Sequence, residues 1–328
     1  MSSPLQHYVP RFVLKRFGRG NTYQVHVFDK SAGKSFSGAA HKLAAERKLY
    51  DFQFKGVPMS VEESLGELES ETAKCVETIL GRGRLSVREP EVIEERGAII
   101  RFLAVQMVRT AGALTRANDL AQKLKAIALE LGAPEDYFKP PPEVGSDENA
   151  LKAYFARRIC SANKDLGPAL VKKDWLLMQT DLEHPFLIGD HPVVLYNYFG
   201  DKLGVGVPGV VVYFPLSPEF ALGLHCPSIA EEIRKGQEKM DRLPDQAFVT
   251  HPELYGGYKE TVAIMEGFVE GVPVKSQAEN VEHFNSIQVS NAERFVFSCD
   301  GNFTLVEDML RVEPSLKKGP RVVVKRGL

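Results

Sequence analysis

After about residue 173 the chain stops repeating at helical period and breaks into short β-branched and aromatic runs. This switch constrains the fold more than any other feature, because a stretch of period 3.6 and a run of apolar β-formers cannot exchange structures. Before the switch, residues 60–81 place Val61, Leu65, Leu68, Thr72, Val76 and Ile79 on one stripe. Glu62, Glu63, Glu67, Glu69 and Glu71 cover the remainder, and Ser60 with Glu63 reads as a capping box ahead of the stop at Gly81 and Gly83. Residues 90–132 form a longer helical pattern around the apolar centre at 99–105, with Gly112 as a place for a break, and 147–159 form a third. After the switch, strands are expected at 175–178, 185–188, 193–196, 210–214, 220–224 and 294–298, with helices over 228–240 and 278–293. Helices first and strands later predict an α+β fold: a helical N-terminal half packed on a mostly antiparallel sheet from the C-terminal half.

The first twenty residues read as an extended segment ending at Gly18 and Gly20, since Pro10 keeps Val9 out of the helical region. A small N-terminal hairpin follows, with 23–28 and 35–37 as its strands, and 46–54 is a further extended piece. Residues 139–145, with three consecutive prolines, read as a surface linker. The 328 residues are taken as one domain, helix-rich over 1–172 and strand-rich over 173–313, with a basic tail at 314–328.

A net charge of −2 makes no demand for nucleic acid or an anionic membrane, although local basic clusters remain available at 81–84 and in the tail. Cys75, Cys160, Cys226 and Cys299 lie far apart with no CxxC pair. That spacing excludes a zinc ribbon and a small disulfide scaffold, and four reduced thiols are expected. The chain shows neither a secretory leader pattern nor the ~18–20 apolar residues of a membrane span, so a cytoplasmic protein is expected. HExxH, GxSxG, the P-loop and a strand-to-helix GxGxxG are all missing.

Chemistry concentrates in a few places. His7, with Gln6 and Lys15, could orient a phosphate or act as a general base, or else pack against the fold with its hydrogen bonds satisfied. Asp190 follows an apolar run and precedes His191-Pro192. It could ligate a divalent metal or polarise His7, and Gly-Asp-His-Pro is equally good turn chemistry. Gln106 and Arg109 share one helical face inside an apolar helix. They would form an anion clamp, or a buried ion pair with Asp190 or a glutamate of the 60–81 helix, where Glu69 alone lies at the edge of the apolar stripe.

Four segments in order resemble the bacterial family called domain of unknown function 4238. They are Gln6-His7-Tyr8-Val9-Pro10 running on to Phe17, the helical stretch 101–110, Pro185-Phe186-Leu187-Ile188-Gly189-Asp190-His191-Pro192-Val193, and Phe214-Pro215-Leu216-Ser217-Pro218 with Phe284-Asn285 and 292–298. Where such proteins carry Phe-Ile-Thr-Ser-Asp-Asn-Pro, this chain has Gly189 for the hydroxyl residue and His191 for the amide, and keeps Asp190. The resemblance names no reaction. The residues themselves suggest a hydrolase acting on a phosphodiester, nuclease-like, with nucleic acid or another phosphate-bearing ligand as partner. His7 would be base or metal ligand, Asp190 metal ligand or orienting acid, and Arg109 the phosphate clamp, with Gln6, Lys15 and Gln106 binding substrate and a divalent metal as cofactor. The alternative is a binding or interaction protein in which the same residues form a structural polar network.

Overall fold

The computed structural model describes residues 5–137 and 147–321. The linker expected at 139–145 and the end of the basic tail lie outside the described residues. The first strand, β1 (Leu5–His7), is short and gives way at Pro10 to helix α1 (Arg11–Arg16). The extended segment expected over 1–20 therefore ends early: Pro10 holds Val9 extended as its ring requires, and then serves as the helix N-cap. β2 (Gln24–Asp29) and β3 (Lys34–Ala39) make the expected hairpin. β4 (Ala45–Arg47) pairs with β1, placing Gln6 opposite Glu46. β5 (Asp51–Phe54) and β6 (Val57–Ser60) form a second hairpin, closed by Lys55 and Gly56 at φ 51° and 78°, as a two-residue turn of this hand requires.

Helix α2 (Glu62–Arg82) ends at Gly83 in the left-handed region. The long helical pattern is two helices, α3 (Glu91–Val108) and α4 (Ala111–Glu130), bent by 61°. The break falls at Arg109-Thr110, not at Gly112, because Thr110 takes the N-cap: its side chain accepts the N–H of Ala113. α5 (Glu148–Val171) runs a full twelve residues beyond the 159 expected from periodicity. Among the described residues no single helix is long and apolar enough to cross a membrane.

The second half contributes β7 (Asp174–Gln179), β8 (Ile188–Gly189), β9 (Val194–Asn197), β10 (Val210–Pro215) and β11 (Phe220–His225). Helices α6 (Pro227–Asp241), α7 (Asp245–Thr250) and α8 (Pro252–Glu270) follow, then β12 (Val274–Lys275), α9 (Ala278–Asn291), β13 (Phe295–Ser298) and α10 (Thr304–Val312). The fold is α+β. One sheet has the order β12-β7-β11-β10-β9, antiparallel except for the β12–β7 pair. A second, β3-β2-β13-β8, draws its strands from both ends of the chain, so the sheet structure is not confined to the C-terminal half.

Strand alternation gives the five-stranded sheet two buried faces. Trp175, Leu177, Val212, Phe214, Leu222 and Leu224 belong to the core shared with α3 and α5, where Phe214 meets Phe102 at 5.6 Å. Val194, Val211, Tyr213 and Ala221 face the other way, onto Ile229 of α6 and Val281, Phe284 and Ile287 of α9. A sheet covered on both sides reads as continuous apolar runs, which is the pattern of 210–214.

Candidate functional site

The N-terminal residues singled out by sequence meet the rest of the fold through its backbone. Gln6 is buried; its Nε2 donates to Asp51 Oδ1 at 2.7 Å and its Oε1 accepts the N–H of Tyr50 at 2.7 Å. Gln106 Nε2 donates to Tyr8 O at 2.8 Å. Arg109, fully buried, donates from Nη2 to Glu69 Oε1 at 2.6 Å and to His7 O at 3.0 Å. Tyr50 Oη lies 3.3 Å from both His7 O and Arg109 O. Gln106, Arg109 and Tyr50 thus donate to the carbonyls of His7 and Tyr8, where β1 has only one sheet partner, while Gln6 ties the same strand to Tyr50 and Asp51.

His7 is half-buried, with Nε2 at 3.2 Å from His41 O. Burial pushes its imidazole down to about 4, with Arg11 and Arg109 adding repulsion, so the ring is neutral at pH 7. Lys15 does not join this group. It sits in the last turn of α1 with its ammonium 5.0 Å over the ring of Tyr23.

Asp190 is brought near the segment, since its charge is felt by Tyr8, and Thr110 Oγ1 bonds the neighbouring His191 Nδ1 at 2.7 Å. Both its carboxylate oxygens are occupied. Oδ1 accepts the N–H of Glu293 at 2.6 Å, and Oδ2 accepts those of Arg294 and Phe295 at 2.9 Å each. Burial pushes the carboxyl up to about 6, against the pull of these three bonds and of Lys30. Asp190 therefore moulds the turn that carries α9 into β13. Side-chain amides do the same work on the preceding segment. Asn285 bonds Leu187 N at 2.7 Å and Pro185 O at 3.0 Å, while Gln288 bonds Gly189 N and Pro192 O, each at 3.0 Å. Gly189 fits this clasp because a Cβ there would stand 3.0 Å from Gln288 O and 3.1 Å from Ala292 Cβ.

Among the described residues, the one group of three side chains able to share a metal ion is Asp181, Glu183 and His184, all exposed, and Asp190 is not among them. No cation is derived from that surface cluster.

A hollow of about 500 Å³ lies elsewhere, on the second face of the five-stranded sheet. β7 supplies Leu176 and Met178 to its floor, β10 supplies Tyr213 and β11 supplies His225. Ile229 and Ile233 of α6, Ile264 of α8, and His283 and Phe284 of α9 close it over. The centre strand makes the room: its residues on this face are Ala221, Gly223 and His225, and the first two scarcely leave the sheet. The His225 ring folds back over Gly223, where a Cβ would come within 2.8 Å of Cε1. Tyr213 and Phe268 meet that ring edge-on at 6.2 and 5.3 Å.

The lining is apolar and aromatic with few polar groups. Tyr198 Oη and Tyr213 Oη are 2.7 Å apart. His225 Nδ1 lies 3.3 Å from Gly223 O, and burial pushes this imidazole down to about 4. His283 is lowered by burial too, its ring packed edge-on against Tyr196 at 4.7 Å. The charged members, Glu232, Glu260 and Lys275, are exposed at the rim. None of Gln6, His7, Lys15, Gln106, Arg109 or Asp190 lines this hollow. No sequence motif marks this hollow. The available signal was the small-small-polar series Ala221, Gly223, His225 at strand period.

The family model described as "Protein of unknown function (DUF4238)" matches residues 5–302. No curated protein and no solved structure matches the chain.

Proposed function

The chain belongs to the DUF4238 family, and we propose that it is a binding protein for a small, apolar-bodied molecule taken up behind the five-stranded sheet. The observation that carries this reading is the cavity. Its volume of about 500 Å³ lies within the roughly 300–1,000 Å³ of small-molecule sites, and its lining has the usual character of apolar walls with a few placed polar groups. On this reading Gln6, Gln106, Arg109 and Asp190 form a structural polar network that pins the N-terminal strand and the turn before β13. The occupied hydrogen bonds of Gln6 and Asp190 and the complete burial of Arg109 against Glu69 favour that role over phosphodiester hydrolysis, although Gln106 Oε1 and Arg109 Nε and Nη1 are buried without a partner among the described residues.

The test is a thermal-shift screen of aromatic and aliphatic fragments on the parent beside Ile233→Trp, which fills the cavity from α6. A ligand that binds only the native state raises the midpoint, by about 2.7 kcal/mol of apparent stability at a hundredfold excess over Kd. The parent is expected to respond by several degrees and Ile233→Trp not to respond; equal shifts in both would overturn the reading. Incubation with single- and double-stranded DNA and RNA plus Mg²⁺, Mn²⁺ or Zn²⁺ is expected to leave the nucleic acid intact. Cleavage lost in His7→Ala would instead favour hydrolysis at the N-terminal segment.

A further inference from the structure

We infer that the molecule held in the cavity presents an uncharged hydrogen-bond donor, a hydroxyl or phenol group, to Nε2 of His225. The inference rests on the binding reading above and adds the chemistry of the ligand's head.

His225 closes the inward-facing series of β11 and is only 7 % exposed, yet it lines the cavity. Its Nδ1 is turned to Gly223 O, and a carbonyl can only accept. The ring hydrogen is therefore on Nδ1, and Nε2 carries a lone pair. Burial keeps the ring neutral, with the Lys173 ammonium adding its repulsion, so this lone pair persists at neutral pH. Among the described residues no donor meets Nε2. Tyr213 and Phe268 stand nearly perpendicular to the His225 ring, and the Tyr213 hydroxyl is paired with that of Tyr198. Nε2 is open to the hollow, and a guest that fills the space without offering a hydrogen leaves this acceptor unmet at a cost of about 1–3 kcal/mol, so the site favours a guest that supplies one there.

The charge of that guest follows from its surroundings. Glu232, Glu260 and Lys275 stand at the rim in water, and Glu232 already pairs with Lys235 at 3.0 Å. Among the described residues no carboxylate lines the hollow beside His225: Asp174, its pairing partner on β7, lies outside the lining and feels Arg96, and the charge acting on the ring is cationic Lys173, so an ammonium head would be buried without a counter-charge. A carboxylate head would set its own lone pairs against that of Nε2. A neutral hydroxyl meets neither penalty, and the aromatic walls of Phe186, Tyr213 and Phe284 suit a flat body.

The experiment compares 2-naphthol, 2-methoxynaphthalene and 2-naphthoate by calorimetric titration of the parent chain and of His225→Phe. The methoxy compound keeps the body and the oxygen but has no hydrogen to give. In the parent, 2-naphthol is expected to bind about tenfold more tightly than 2-methoxynaphthalene, the equivalent of one buried hydrogen bond, with naphthoate weakest. In His225→Phe the two neutral compounds are expected to bind alike. Equal affinities in the parent, or tightest binding of naphthoate, would overturn the head-group assignment while leaving the binding cavity intact. If none of the three binds the parent, the binding reading falls and this one with it. The parent comparison needs no variant to fold. As a second readout, the ¹⁵N resonance of His225 Nε2 should shift with 2-naphthol and stay in place with 2-methoxynaphthalene.

Discussion

Arg101 lies in α3 and Arg109 caps its C-terminal end, and both reach α2, yet their environments give them different weights. Arg101 pairs with Glu71 at a surface where both side chains are about half exposed. Arg109 pairs with Glu69 from a fully buried position and holds His7 O as well. Water screens the first pair and reaches the second only from the Glu69 side, which is 23 % exposed. Arg101→Ala is therefore expected to change unfolding stability by no more than about 0.5 kcal/mol, and Arg109→Ala to remove about 3 kcal/mol; urea denaturation of both variants measures the contrast. Similar losses would mean that Arg109 has no special burial cost to answer. The need of Arg109 for a carboxylate was legible in the sequence, because a guanidinium inside an apolar helix demands one, and Glu69 at the stripe's edge was the available glutamate. That Asp190 would be taken up by three backbone N–H groups was not legible, since those amides lie over a hundred residues away. Asp190→Asn keeps the shape but turns an amide N–H₂ toward a backbone donor. It is expected to cost about 2 kcal/mol in the same assay.

At the scale of elements, local patterning found β2, β3, β7, β9, β10, β11 and β13, gave no sign of β6 or β12, placed at 185–188 a strand that is only Ile188–Gly189, and missed helices where proline and glycine disguise them. α1 follows Pro10 directly, and α8 contains Gly256, Gly257 and Gly267, which dilute its apolar period. Gly267 is required all the same: a Cβ there would stand 2.5 Å from Leu176 Cδ1, so α8 approaches β7 closely at that point. The capping box expected at Ser60 does not form: Val61 takes the N-cap without a side-chain bond, and Ser60, the last residue of β6, only accepts the N–H of Glu62 at 3.3 Å at an exposed position. The break between α3 and α4 depends instead on Thr110, whose hydroxyl accepts Ala113 N at 3.2 Å and bonds His191 Nδ1 at 2.7 Å. Thr110→Val keeps the shape, removes the cap and strands a buried imidazole nitrogen. It should cost about 2 kcal/mol, whereas Ser60→Ala should cost about 0.5 kcal/mol. Chemical denaturation ranks the two, and the reverse order would place the controlling cap at α2.

On the scale of the whole molecule, the five-stranded sheet separates two environments that β7 and β10 do not distinguish in sequence, because their alternate residues are apolar on both sides, and only the series Ala221, Gly223, His225 of β11 marks one of them. The size of the hollow depends further on how α6, α8 and α9 settle on it, a tertiary outcome. The same double burial fixes how the fold responds to acid. Burial holds His7 and His225 at about 4 and His191 well below its usual 6.5. Between pH 6.5 and about 4 the unfolded chain therefore takes up protons at these three histidines, and at His283, which burial also lowers, before the folded chain does, and stability must fall as pH falls through that window. Asp190 works in the opposite sense. Its folded carboxyl, raised to about 6, takes a proton before the unfolded one does, so it adds stability on the way down from pH 6 to about 3.8 and offsets one of the four. Stability measured by urea unfolding at half-unit steps should therefore decline from pH 6.5 to 4. His225→Phe removes one refused proton and should flatten the slope by up to about 1.4 kcal/mol per pH unit. An unchanged slope in that variant would mean that His225 is protonated in the folded chain. The Nε2 lone pair, and with it the preference for a donor-headed ligand, would then be lost.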